Sequence, residues 1–400
     1  MKTTKKLLAA AVLAAFGTSV WAAPTVTIYG TVDTALVYQH SRTSYGGDVG
    51  QALGEKGITS GSTDTLSMES GINEPSKWGL RGEEKIGGAT VAFNLQSGIN
   101  TDDGTTKQGG RLFGREALLS VSGKYGTLAA GRMGAVGSSC GTFDITQAIA
   151  ESFDGFDYLD MGMTLTDRYD NMLTYQTPKY AGLQATLQYS FKTDQKDGVG
   201  TEGKASANRY AGAAVTYEIG KLQSVLSYEF LDHSNISYNS KDGHIISLGA
   251  NYDFGVAQVF GLAKYVTGVN TFAGYYADDY AEDVGAALAE EGLDGVTFRG
   301  AKGYNLHLGA IVPMFGGSLT GGLYYADGDA KLSNGLAKVD LKAFGASFKY
   351  AYPLSKRTDI YCGVDFAQQK VDNLKVLGTG VSGDEKDTNT AVFAGLTHRF

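Results

Sequence analysis

The strongest constraint on this chain is a two-residue period that recurs along nearly its whole length. From Leu183 to Phe191 every odd position is apolar (Leu183, Ala185, Leu187, Tyr189, Phe191) and every even one is polar (Gln184, Thr186, Gln188, Ser190). Successive side chains of a strand point to opposite faces, so this segment has one greasy and one wet side. Val26, Ile28, Val32, Leu36 and Tyr38 alternate in the same way with Thr25, Thr27, Thr31 and Asp33, as do Leu222, Leu226, Tyr228 and Phe230 with Gln223, Ser227 and Glu229. Near the end, Ile360, Cys362, Val364 and Phe366 alternate with Asp359, Tyr361, Gly363 and Asp365. Only Val256 to Val266 is ambiguous in phase.

The period predicts strands near 25–40, 76–84, 88–99, 112–122, 126–133, 171–178, 182–192, 208–219, 221–232, 243–254, 256–266, 302–314, 317–327, 339–352, 357–369 and 389–400. That even count suits a closed antiparallel barrel, and its connections alternate in length. Tight turns such as Lys85-Ile86-Gly87-Gly88 and Gly123-Lys124-Tyr125-Gly126 alternate with long loops at 41–75, 100–111, 134–170, 193–207, 233–242, 267–301, 328–338 and 370–388. Short turns at one end and long loops at the other are the pattern of a membrane-spanning barrel. The expected fold is therefore all-β: a sixteen-stranded antiparallel transmembrane β-barrel.

Composition agrees. The chain has 56 Gly, 24 Tyr and 18 Phe but only 5 Pro in 400 residues. A closed barrel has no free edge for Pro to guard, Gly lets tilted strands curve, and Tyr and Phe suit the two membrane interfaces. Two soluble β-sandwiches would also alternate, but they would need a linker, and none is visible. An acidic balance, with formal charge −8, argues against nucleic acid as a partner.

The N-terminus reads as an export signal. Lys2, Lys5 and Lys6 precede the short apolar run Leu7–Phe16, and Val20-Trp21-Ala22 offers small residues before a cut between Ala22 and Ala23. About ten apolar residues are too few to anchor a helix across a bilayer. The expected organisation is residues 1–22 as signal peptide and 23–400 as one barrel. Loss of three lysines takes the formal charge from −8 to −11. Cys140 and Cys362 are expected to be free thiols, with a bridge as the alternative in an oxidising compartment.

Several segments carry a family resemblance: VTIYGTVDTAL from Val26, SKWGLRGEEKIGG from Ser76, LFGREALLSVSGKYGTLAAGR from Leu112, DNMLTYQTPKYAGLQATLQYS from Asp170 and the closing GLTHRF from Gly395. Together they resemble the Gram-negative general porins of betaproteobacterial type over the whole mature chain. The resemblance implies a homotrimeric pore in the outer membrane, in contact with lipopolysaccharide, that passes ions and small hydrophilic solutes. It also implies a terminal Phe400 read by the barrel-assembly machinery.

The resemblance implies an inward-folded third loop, and that loop, 134–170, is then the constriction. Its acids Asp144, Glu151, Asp154, Asp157, Asp160, Asp167 and Asp170 face a single base, Arg168. Opposite such a loop the family carries wall bases. The candidates here are Lys77 and Arg81, in the phase opposite to Trp78 and Leu80, with Arg111, Arg115, Arg132 and Arg168. Arg115 and Arg132 share parity with outward positions, so a bulge must re-aim them or they lie above the membrane. Many relatives place an Arg in the middle of the sixth strand, where this chain has Thr174. With the acidic loop, that predicts weak selectivity leaning to cations. A second acidic stretch, Asp278 to Asp294 within loop 267–301, offers carboxylates that could hold divalent cations at the outer surface, or a solvated lid. It lacks the spacing of a calcium loop.

Enzyme patterns are absent. The five histidines His40, His233, His244, His307 and His398 are scattered, and GKYGTLAAGR lacks the Lys-Ser/Thr end of a phosphate loop. No resident cofactor is expected. Two alternatives remain at this point: a substrate-specific channel with a saturable site, and a barrel enzyme of the outer membrane.

Overall fold

The computed structural model describes residues 25–47, 60–152, 165–234, 241–273, 275–276, 298–332, 338–376 and 381–400. Residues 1–22, expected to be a signal peptide, and the Ala22–Ala23 junction lie outside the described residues.

The strands in chain order are β1 (Thr25–Gly46), β2 (Gly61–Ser70), β3 (Lys77–Ile86), β4 (Ala89–Gly98), β5 (Glu116–Gly123), β6 (Gly126–Gly134), β7 (Arg168–Gln176), β8 (Leu183–Ser190), β9 (Arg209–Ile219) and β10 (Leu222–Asp232). Then follow β11 (Gly243–Asp253), β12 (Gln258–Val269), the two-residue pair β13 (Thr271–Phe272) and β14 (Tyr275–Tyr276), β15 (Phe298–Met314), β16 (Gly317–Leu332), β17 (Lys338–Pro353), β18 (Thr358–Val376) and β19 (Val381–Arg399). One short helix, α1 (Thr146–Ala150), lies in the β6–β7 connection.

Seventeen of these strands form one sheet, every neighbour antiparallel, and pairing of β1 with β19 closes it. β2 and β3 share one stave: β2 pairs with Thr34–Thr43 of β1, and β3 with Thr25–Thr31. The barrel thus has sixteen staves, one of them interrupted at residues 71–76. Closure leaves no free edge around the membrane band, which is what lets strands cross lipid with every backbone group paired.

Several predicted loops are partly strand: 267–301 and 328–338 hold strand ends, and two others are strand over much of their length. The span 41–75 contains the end of β1 and all of β2, and the span 370–388 is largely the extended β18–β19 hairpin, paired as far as Val376↔Val381. Residues 61–65 of β2 and 382–388 of β19 are polar at every position, and although Leu66 and Met68 of β2 stand exposed opposite Tyr38 and Leu36, two apolar residues are too few to mark a half-apolar strand.

Outward positions carry the apolar belt: Leu36, Leu119, Leu187, Leu226, Leu248, Leu308, Leu323 and Phe348 are all exposed. At the short-turn end stand Tyr125, Tyr180, Tyr252, Phe254, Phe315 and Tyr352, and toward the long loops Tyr38, Tyr228, Tyr265, Tyr304 and Tyr325. These two girdles sit where amphipathic rings favour a lipid–water boundary.

The inner face has two unlike arcs. From β9 to β18 a continuous apolar cluster includes Val225, Ile245, Leu262, Val266, Tyr324, Leu341 and Ala367. Val136, Ile145 and Ala150 of the β6–β7 connection pack into it. This explains the ambiguous phase of 256–266: on β12 Tyr265 faces outward while Phe260, Leu262 and Val266 are buried inward, so both faces are apolar. The other arc, β1 with β3 to β5, presents polar and charged groups to an open cavity.

Candidate functional site

Four glycines fit the β6–β7 connection to the barrel. A Cβ on Gly249 of β11 would lie 2.2 Å from Ala150 Cβ, and one on Gly309 of β15 would lie 2.0 Å from Ser152 Oγ. Within the connection, a Cβ on Gly137 would meet the Glu229 carboxylate at 1.9 Å, and Gly141 (φ +90°) sits against Glu116. At these contacts backbone and partner approach too closely for any other residue.

Hydrogen bonds secure the same segment. Gly137 N–H, Thr166 Oγ1 and Tyr210 OH all donate to Oε1 of the buried Glu229, at 3.2, 2.8 and 2.8 Å. Thr146 Oγ1 donates to Ser227 Oγ at 2.9 Å, and Asn251 Nδ2 donates to the Ile149 carbonyl at 2.7 Å. Ser152 N–H donates to His307 Nε2 at 3.2 Å, and its hydroxyl to the Gly321 carbonyl at 3.1 Å.

On its other side the connection faces the polar arc. A cavity of ≈ 340 Å³ is lined by Glu74, Lys77, Arg81, Arg115, Glu116 and Asp144, with Tyr29, Asn94, Gln96 and residues 139–142 completing its wall. Lys77 Nζ pairs with Glu74 Oε1 at 3.0 Å. Arg81 lies over the Tyr29 ring, its Cζ 4.9 Å from the centroid. Arg115 is buried and donates from Nε to Gln96 Oε1 at 2.6 Å. It stands one residue before β5, where the strand alternation does not yet apply, so its parity with outward residues does not fix its direction. Asp144 accepts from Ala148 N–H at 3.2 Å at the start of α1.

Tyr29 and Glu116 tie the wall together. Tyr29 OH donates to Asn94 Oδ1 at 2.5 Å and accepts from Gln96 Nε2 at 3.0 Å. Asn94 Nδ2 in turn donates to Glu116 Oε2 at 2.5 Å.

The other candidate bases stand elsewhere. Arg111 and Arg132 converge on Asp170, at 3.1 and 2.7 Å, and Arg111 also meets Asp194 at 2.5 Å. A register shift in the β6–β7 pairing, with Asn171 at φ +51°, re-aims this end of β7 and brings Asp170 to the two arginines. Arg168 pairs with its neighbour Asp167 at 3.0 Å. Of the loop acids, Glu151 takes a hydrogen bond from Tyr324, while Asp154, Asp157 and Asp160 lie outside the described residues. The acidic stretch Asp278–Asp294 lies outside them as well. Thr174 is buried on the inner face, its hydroxyl 3.2 Å from Met133 Sδ.

At the chain end Phe400 is hydrogen-bonded to Gly30 in both directions, at 3.2 and 3.0 Å, with its ring against that glycine. Cys140 and Cys362 are both free.

Sequence reading missed Glu74, Glu116, Glu229 and Tyr29. Glu116 and Glu229 occupy inward positions of their strands and could be found by parity, but nothing local marks them as partners of a loop some 25 to 90 residues away in the chain.

Comparisons with known proteins agree with this architecture. A family model described as Gram-negative porin matches residues 9–373. An outer membrane porin protein of Bordetella pertussis is 34% identical, covering 99% of this chain and 100% of its own length. Outer membrane porin protein 32 of Delftia acidovorans is 30% identical, covering 99% of each chain. Among solved structures, an anion-selective porin from Comamonas acidovorans superposes with TM-score 0.61 at 24% identity, over 94% of this chain and all of its own.

Proposed function

Because this chain belongs to the Gram-negative porin family, we propose that its aqueous path runs along the polar arc, between β1 and β3–β5 on one side and residues 139–144 on the other. The protein is an outer-membrane channel for passive diffusion of ions and small hydrophilic solutes, and not an enzyme. What carries the reading of the path is the cavity that gathers Lys77, Arg81 and Arg115 with Glu74, Glu116 and Asp144 between wall and loop. The apolar arc supports it, because Val136, Ile145 and Ala150 hold the loop against β9–β18 and leave the opposite side wet.

Charges of opposite sign on facing walls create a transverse field that orients dipolar solutes and sorts ions. Asp144 faces Lys77, Arg81 and Arg115 from the loop, while Glu74 and Glu116 stand on the wall beside those bases, so the field crosses the pore at Asp144 and the lining as a whole, three cations to three anions, is nearly neutral. Selectivity is therefore weak, and any lean toward cations comes from the loop acids. Zero-current potentials in a salt gradient test this: a value close to zero agrees, and a strongly anion-selective one overturns it.

Family membership extends the proposal to residues 1–22 as a cleaved signal, a homotrimer in contact with lipopolysaccharide, and Phe400 as the signal for the barrel-assembly machinery. Planar-bilayer recordings test the assembly, since a trimer enters with three equal conductance steps and a monomer with one.

A further inference from the structure

Below the loop, a second cavity of ≈ 400 Å³ continues from the first along the inner face of β3–β5, sharing Arg81, Asn94 and Thr142 with it. Its charged lining residues are Arg81 and Glu83. They stand two residues apart on one face of β3, about 7 Å between Cα atoms at strand rise. Opposite charges so placed would ordinarily pair. Here Arg81 is drawn onto the Tyr29 ring instead, and neither side chain has an ion-pair or hydrogen-bond partner among the described residues. Both are exposed to the cavity. Lys85 follows on the same face but lies beyond the cavity lining.

A free guanidinium and a free carboxylate, held apart and open to water, are complementary to one solute that carries both charges. We propose that this cavity is a transient binding site for small zwitterions of the α-amino-acid class, which gives the diffusion channel a preference for them. The solute carboxylate meets the Arg81 fork, a geometry that favours two parallel N–H···O bonds. Its ammonium meets Glu83. The Thr142 and Ser120 hydroxyls and the Leu118 side chain lie within reach of the remainder. The cavity size falls in the range of small-molecule sites, while its openness to solvent keeps the pairs screened and release fast.

The proposal rests on the channel reading, and its test separates the two. Full-length protein in liposomes is assayed by osmotic swelling with three solutes of similar size: L-threonine (zwitterion), erythritol (neutral) and 3-hydroxybutyrate (anion). Threonine is expected to enter roughly threefold faster than erythritol, the scale of one or two screened ion pairs, with a rate that saturates as concentration rises. Arg81→Gln and Glu83→Gln should each bring threonine down to the erythritol rate. Heat-modifiable electrophoretic mobility confirms that the variants are folded, and Arg81→Lys, which keeps the charge, should retain part of the preference. Equal threonine and erythritol rates in the unmodified protein overturn the proposal. So does a Glu83→Gln variant that keeps the threonine preference, because the site then reads anions alone. If the folded barrel passes none of the three solutes, the channel reading itself fails.

Discussion

Thr142 in the β6–β7 connection donates both its backbone N–H and its hydroxyl to one carboxylate, that of Glu116 on β5, at 2.5 and 3.0 Å. Glu116 is 1% exposed while Thr142 opens to the cavity, so this double contact ties the loop to a buried carboxylate at the edge of the water. A charged acceptor that serves two donors on one residue fixes that residue's position.

Glu116→Ala should therefore loosen the loop rather than unfold the barrel. A hydrogen bond to a charged group contributes about 1.5–3 kcal/mol, so losing two is enough to shift a loop held by a handful of contacts. The expected outcome is noisier single-channel current and faster cleavage within 135–167 by added protease, with heat-modifiability unchanged. Quiet, wild-type current would remove Glu116 from this role.

Glu229 anchors the opposite side of the same connection, accepting from Gly137, Thr166 and Tyr210. Glu229→Ala should cost more than Glu116→Ala: each removes the acceptor of three donors, but those of Glu229 lie in the interior, whereas Thr142 and Asn94 line the cavity and can turn to water. Heat-modifiable migration should show a lower transition temperature, and a double variant with Tyr210→Phe should be less than additive, since one bond is then removed twice.

Gly249 and Gly309 are the seats of Ala150 and Ser152. Valine at either position must push the loop end off the apolar arc and toward the polar arc, into the path. Overpacking of this kind costs about 1–3 kcal/mol, which the barrel tolerates. Conductance should fall in both variants, whereas valine at Gly261 of β12, with the nearest atom 4.0 Å from its Cβ position, should leave it unchanged.

Cys140 is buried in the loop, and burial pushes its thiol up to about 11, with Arg168 opposing only in part. At neutral pH it stays protonated and inaccessible, hence unreactive. Maleimide should fail to label it in the folded protein and label it fully after heat denaturation, tested in a Cys362→Ser background because Cys362 faces outward beside Ile360 and Val364. Labelling at native temperature would show that the loop opens.

Asp194, in the β8–β9 connection, titrates below the usual carboxylate range. Burial pushes it up, but the Lys196 N–H at 2.7 Å and the Arg111 guanidinium outweigh that. A carboxyl depressed by folding contributes stability above its unfolded value of about 4, and that contribution is lost as pH falls through the folded value. The Arg111 tether should therefore hold at neutral pH and let go only in acid. Amide exchange across 193–208 should be flat from pH 7 to 5 once corrected for intrinsic rates, and should rise below about 4. Asp194→Asn should remove that acid step.

The barrel was legible in the chain because its evidence is local. Alternation over a few residues tells which face meets lipid, turn chemistry marks the short end, and Lys77 and Arg81 could be given a direction by parity with Trp78 and Leu80. Where alternation weakens, the reading weakened with it: β2 gives the belt only Leu66 and Met68, residues 382–388 of β19 are polar throughout, and β12 is apolar on both faces.

Function depends on pairings between distant residues, and there the chain alone was silent. Arg111 and Arg132 stood among the candidate wall bases, Arg132 with outward parity, and only the shifted register of β7 shows that both are taken up by Asp170. Arg81 remained open because Tyr29, on a different strand, took its guanidinium. The sequence by itself determined a closed membrane barrel and its two faces, since a two-residue period needs no distant partner. Only the tertiary structure decided which charges face the water, because a charge is neutralised or left free by whatever the fold brings within a few ångströms, and Coulomb attraction takes no account of separation along the chain.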